Sequence, residues 1–370
     1  MNPNDGTTRR ELLGRGALVA AGILGGSAFL AACGDSKTTS AALDPKKLTG
    51  TLNFVNFEGW LGKGEAAAFS AAFSGASLKQ IPIATFEEWV PKVKDRRGDY
   101  DIALVDGANI PKLVALDAIA SFTAEEVPNQ ANIDPSFRGQ PWDPDNKYFV
   151  PTDYGRTAIG YRKDLVSEPI TSYADLFALL PKYSGKVAVL SRMGSTLGMA
   201  MKRLGYSINS NDPTEVEAAK KLLIDSKKHF LALADSGSPS LLSGDAVIAL
   251  CDDYDIVTAA TKNPNIVWVD PTEGMSAYIE GFVALKGPRE DLAKAFINFH
   301  ADPVQNADFV NTLNIASVVP KAADLIKPAI AKSTILFPSD EVKKRIEFFV
   351  ARPPEGEKLW MKAWDEFRAA

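Results

Sequence analysis

The chain has 370 residues, with 41 Lys and Arg against 46 Asp and Glu, a net charge of −5 and a pI near 5.3. That balance gives no broad electrostatic reason to bind nucleic acid, and the mean hydropathy of −0.07 excludes a polytopic membrane protein. Two Cys and two His leave neither a disulfide framework nor a Cys/His zinc site, so the length points to a mildly acidic, two-lobed globular body with no cofactor expected.

The N-terminus reads as a targeting segment, not as part of the fold. Thr8-Arg9-Arg10-Glu11-Leu12-Leu13 is a twin-arginine start, and the apolar stretch Ala17 to Ala32 is a signal core too short to span a ~30 Å bilayer. It ends in Leu30-Ala31-Ala32-Cys33-Gly34, which looks like a lipobox with cleavage before Cys33 and a lipid on that cysteine. Residues 33–48 then form a flexible polar tether. The expected protein is lipid-anchored on the extracytoplasmic face of the cell membrane.

In the body, Leu52 to Asn56 alternates as a first strand, Glu65 to Phe73 is helical, and Ser77 to Ile83 reads as a second strand. Apolar residues at Phe86, Trp89, Val90 and Val93 predict a helix stripe. Asp101 to Val105 is a buried strand, and Ile110 to Leu116 a further helix. This β-α-β-α-β rhythm predicts an α/β fold with a mostly parallel sheet. Next come two strands, Phe149 to Pro151 and Thr157 to Tyr161, separated by a polar turn. Tyr173 to Leu180, Met199 to Leu204 and Val216 to Lys227 read as helices, and Val187 to Leu190 and Val247 to Leu250 as strands of a second sheet. Glu280 to Leu285 is a last strand before helices at Asp291 to His300 and Pro303 to Leu313.

Several short segments occur in order along the body: Asn56-Phe57, Gly98-Asp99-Tyr100-Asp101-Ile102, Asp143 to Tyr148, Val150-Pro151, Gly155 to Tyr161, Thr171 to Leu176, Leu204 to Ser207, Trp268 to Gly274 and Asp302-Pro303. With them the chain resembles the spermidine/putrescine-binding proteins of bacterial ABC importers. The resemblance implies a periplasmic-binding-protein-like fold: two α/β lobes with a hinge and a ligand cleft between them. Lobe one would comprise 49–155 and 286–370, and lobe two 156–285, with 1–32 as signal. It also implies a monomer that carries a small-molecule ligand, a polyamine or related amine, to an ABC permease, and no catalysis.

Ligands of open α/β sheets lie beyond the carboxyl ends of strands. A polyamine needs aromatic walls along its methylenes and carboxylates at its ammonium groups. Phe57, Trp60, Tyr254 and Tyr278 are candidate walls, and Asp106, Asp252, Asp253 and Glu280 candidate carboxylates. Each has a plainer reading: the aromatics as core, Asp106 as a helix N-cap, and Asp252-Asp253 as a solvated turn. Arg192 and Ser195 stand where the family places acidic residues. An inward Arg192 would favour a carboxylated or zwitterionic amine, such as an amino acid derivative or an opine-like conjugate. A lipid-anchored hydrolase is the remaining alternative, although no G-x-S-x-G motif is present and His229 and His300 end helices.

Overall fold

The computed structural model describes Leu48 to Ala370, except Ala84, Thr85 and Arg97. The signal segment, Cys33 and nearly all of the tether lie outside the described residues. Among the described residues eleven strands form one hydrogen-bonded sheet: β1 (Gly50–Asn56), β2 (Ala76–Pro82), β3 (Ile102–Asp106), β4 (Val150–Arg162), β5 (Val187–Leu190), β6 (Phe230–Ala234), β7 (Ile248–Asp252), β8 (Ile266–Val269), β9 (Met275–Ala284), β10 (Ala316–Ser317) and β11 (Ile346–Phe348). The main path runs β2-β1-β3-β9-β4-β7-β5-β6. At one end β2, β1 and β3 are mutually parallel, and at the other β7, β5 and β6 are mutually parallel. The long antiparallel pair β9 and β4 joins the two ends.

Two expectations change here. The strand-turn-strand reading of 149–161 gives way to one 13-residue strand, β4. Its polar middle, Thr152-Asp153-Tyr154-Gly155-Arg156, is paired with β9 throughout except for a bulge between Pro151 and Asp153. Because β4 is shared by both ends, the second sheet is continuous with the first.

The buried strands alternate their apolar residues between two faces, and each face is covered by helices. Leu52, Phe54, Ile102 and Leu104 pack with Phe69, Phe282, Phe296 and Phe309 on one face, while Val55, Ala103 and Val105 pack with Trp89, Leu113 and Trp142 on the other. In the other half Val187, Val189, Ile248 and Leu250 pack with Met201, Leu223, Trp360 and Phe367, and Ala188, Ala249 and Cys251 with Leu241 and Ile256. Within one contact-dense body there are thus two helix-sheet-helix sandwiches. The C-terminal helix Pro354–Ala369 packs on helices Pro213–Ser226 and Met193–Arg203, in the half built on β5 to β7. No described helix is long and apolar enough to cross a membrane.

Candidate functional site

The carboxyl ends of β1, β3, β5 and β7 face the middle of the sheet, where β9 and β4 cross between the halves. Residues opposite one another in an antiparallel pair share a face. Glu280 on β9 is opposite Asp106 on β3 and opposite Asp153 on β4. This makes a row of three carboxylates with neighbouring Cα atoms about 4.5–5.5 Å apart. Two residues back along β9, on the same face, Tyr278 is opposite Gly155. A further step brings Ser276 opposite Thr157, which is in turn opposite Asp252 on β7. A Cβ on Gly155 would lie 2.2 Å from the Tyr278 hydroxyl, so the absent side chain is what lets the ring lie across β4.

Glu280 is 8% exposed, and its Oε2 has no hydrogen-bond partner among the described residues. Burial, then Asp153 and Asp106, push its pKa well above the ordinary carboxylate range, while Arg192 opposes them. Burial also pushes Asp153 up to about 6, against a hydrogen bond from Thr152 and the nearby His300. Both are carboxylates stripped of water, and the nearby Arg192 and His300 do not offset that loss, a condition a bound cation would relieve.

Tyr278 shares this face of β9, and Tyr254 and Tyr278 both lie near enough to Glu280 to feel its charge. Trp60 leaves β1 in a loop that Asn56 fixes: the Asn56 side chain accepts from Phe57 N at 2.8 Å and donates to the Trp60 carbonyl. The Trp60 ring meets Tyr254, from the other half, edge-to-face at 5.2 Å. Phe57 is half-buried, 5.0 Å from Phe86 and 6.4 Å from Trp60. Tyr254 and Tyr278 are both held protonated well past their usual range, first by burial and then by Asp252.

Asp252 ends β7, fully buried, and accepts from Thr157 Oγ1 at 2.7 Å and from an Arg192 amino group at 2.5 Å. The Arg192 side chain remains 38% exposed, and its Nε has no partner among the described residues. Burial lowers the Arg192 pKa, but Asp252, Tyr278 and Tyr254 raise it further, so it is a fixed cation. Ser195, on helix Met193–Arg203, lies 3.5 Å from Thr157 by its hydroxyl.

The remaining carboxylates are tied into the protein. Asp106 caps the turn Gly107–Asn109 by accepting from Ala108 N at 2.7 Å, the plainer role expected of it, while keeping its place opposite Glu280. Asp253 accepts from Arg156 N at 3.1 Å and Tyr254 N at 2.9 Å, with Arg156 Nε at 3.5 Å. Burial pushes Asp253 up to about 8 against Arg156. It is therefore not a solvated turn. Arg156, wholly buried, also binds Asp270 at 2.7 Å and the Ile335 carbonyl. Asp153, Arg156 and Thr157 join the candidate site without having been singled out in the sequence. The β4–β9 register places Asp153 and Thr157 on the face of Glu280, and Arg156 enters through its contacts with Asp253. His300 ends helix Glu290–His300 as expected; it is also buried, and its Nδ1 lies 2.6 Å from Glu65.

Residues 66–338 match the family described as bacterial extracellular solute-binding protein. The chain belongs to that family. It therefore works outside the cytoplasm as a binder of solutes. The chain is 26% identical over 302 residues to the spermidine/putrescine-binding periplasmic protein of Escherichia coli K12, covering 80% of this chain and 86% of that one. It is 24% identical over 307 residues to a putrescine/cadaverine-binding protein of Pseudomonas aeruginosa, covering 80% and 87%. A solved structure described as a spermidine/putrescine ABC transporter from Listeria monocytogenes superposes with a TM-score of 0.81 at 20% identity, over 86% of this chain and 99% of that one. The periplasmic-binding-protein-like α/β fold expected from the sequence is the fold found.

Proposed function

We propose that this protein captures an aliphatic amine of the polyamine class between its two halves and delivers it to a membrane ABC permease, without altering it. One observation carries the reading. Glu280 presents a buried, unpartnered carboxylate oxygen between Asp106 and Asp153, with Trp60, Tyr254 and Tyr278 as walls. An ammonium there gains a charge-assisted hydrogen bond, and each aromatic contact adds about 0.5–2 kcal/mol. The named relatives bind amines of this kind. The lobes meet along β4 and β9, and we assign helix 354–369 to the lobe of β5 to β7 because it packs there. The protein acts as a monomer.

A thermal-shift panel of polyamines, acylated polyamines, sugars and carboxylic acids tests the reading. At a hundredfold excess over Kd a ligand stabilises the fold by about 2.7 kcal/mol, so an amine should raise Tm where sugars and acids without an amino group do not. A response to sugars alone contradicts the proposal. Turnover of reporter esters or glycosides would instead reveal a hydrolase.

The same proposal places the protein on the outer face of the cell membrane through a lipid on Cys33. Cys33→Ala should move the protein from the membrane fraction to the soluble fraction. A variant that stays in the membrane fraction removes the anchor from the account.

A further inference from the structure

A linear diamine needs counter-charge at both ends. In this cleft the Glu280 end supplies it. The Asp252 end does not, because the Arg192 guanidinium sits on Asp252 at 2.5 Å and Thr157 donates to its other oxygen at 2.7 Å. Arg192 also lies near Tyr254 and Tyr278, the walls a ligand would use. The second cation position is therefore filled by the chain's own side chain. A second ammonium would face a fixed like charge and a carboxylate whose oxygens are already engaged.

The groups left at that end are donors. Arg192 Nε is buried and has no partner among the described residues, the Arg192 side chain as a whole is 38% exposed, and the Ser195 hydroxyl lies 3.5 Å from that of Thr157, which already donates to Asp252. The unpartnered Arg192 Nε–H calls for an oxygen acceptor, and the guanidinium fork suits a carboxylate or an amide carbonyl.

Resting on the amine-binding reading above, we infer that Arg192 is the specificity-determining residue. It restricts the ligand to an amine with one ammonium, seated on Glu280, whose other end carries an oxygen acceptor, as in an ω-amino acid or an N-acylated diamine.

Calorimetry on the full-length chain tests this with three probes of similar length: putrescine, 4-aminobutyrate and N-acetylputrescine. The wild-type chain should bind one of the latter two about tenfold or more tighter than putrescine; which one wins separates a carboxylate from a carbonyl. Arg192→Gln should narrow or invert that ratio by strengthening putrescine and weakening the acceptor-bearing amine. Arg192→Lys keeps the charge on Asp252 and should keep putrescine weak, which separates lost repulsion from a damaged fold. If putrescine binds the wild-type chain as tightly as the other two, or Arg192→Gln leaves the ratio unchanged, this inference fails while the amine-binding reading stands. If none of the three binds and longer polyamines do not either, both fail.

Discussion

The chemistry of the site turns on single side chains whose surroundings leave a charge uncompensated. Glu280 holds its proton past the usual carboxylate range, because burial and then Asp153 and Asp106 oppose its ionisation. An ammonium prefers the ionised form, so binding should release a proton and affinity should fall as pH falls. Calorimetry in two buffers of different ionisation heat should show that release, and Glu280→Gln should abolish it along with about tenfold or more of the affinity. Equal heats in both buffers would contradict the assignment. The ligand-free chain should show the opposite trend in stability. Between the ordinary aspartate range and about pH 6, the unfolded chain has lost a proton that folded Asp153 still holds. Stability therefore falls as pH rises through that window, and a Tm that rises there through this group would be the wrong sign. Glu280 could be singled out in the sequence. Asp153 could not, because its importance comes from lying opposite Glu280, and pairing between residues so distant in sequence leaves no local signal.

At the scale of elements, β4 is where sequence and structure part most. Its middle, Pro151-Thr152-Asp153-Tyr154-Gly155-Arg156, carries Pro, Gly and charge and so imitates a turn. Tertiary partners override that local preference: Asp270 and Asp253 for Arg156, Leu336 O for Tyr154 Oη at 2.9 Å, and the β9 ladder for the backbone. The regular apolar strands β1, β3, β5 and β7 were legible because alternation and burial are local patterns. Gly155 offers a test of the strand's role. A methyl group there must displace the Tyr278 ring, so Gly155→Ala should cost about tenfold in ligand affinity while circular dichroism remains that of the folded chain. An unchanged affinity would remove Tyr278 from the ligand wall.

For the molecule as a whole, two sandwiches share the strands β4 and β9 and meet again where Trp60 touches Tyr254. Hinge closure is the usual transition of such architectures, and here opening would have to part that aromatic contact while leaving the β4–β9 ladder intact. The ordered segments that carry the resemblance made this architecture legible. The sequence did not show that the C-terminal helix returns to the second sandwich. Its buried Trp360, which donates to Ser210 O at 2.9 Å, says only that the helix is packed, not against what. On this reading a ligand's ammonium sits on Glu280, between the halves. A crystal structure of the chain with the amine that most raises its Tm tests this most directly. An ammonium nitrogen should lie about 2.7–2.9 Å from Glu280 Oε2, with the ligand's carbon chain against Trp60, Tyr254 and Tyr278. An amine bound elsewhere, with Glu280 still unpartnered, would contradict it.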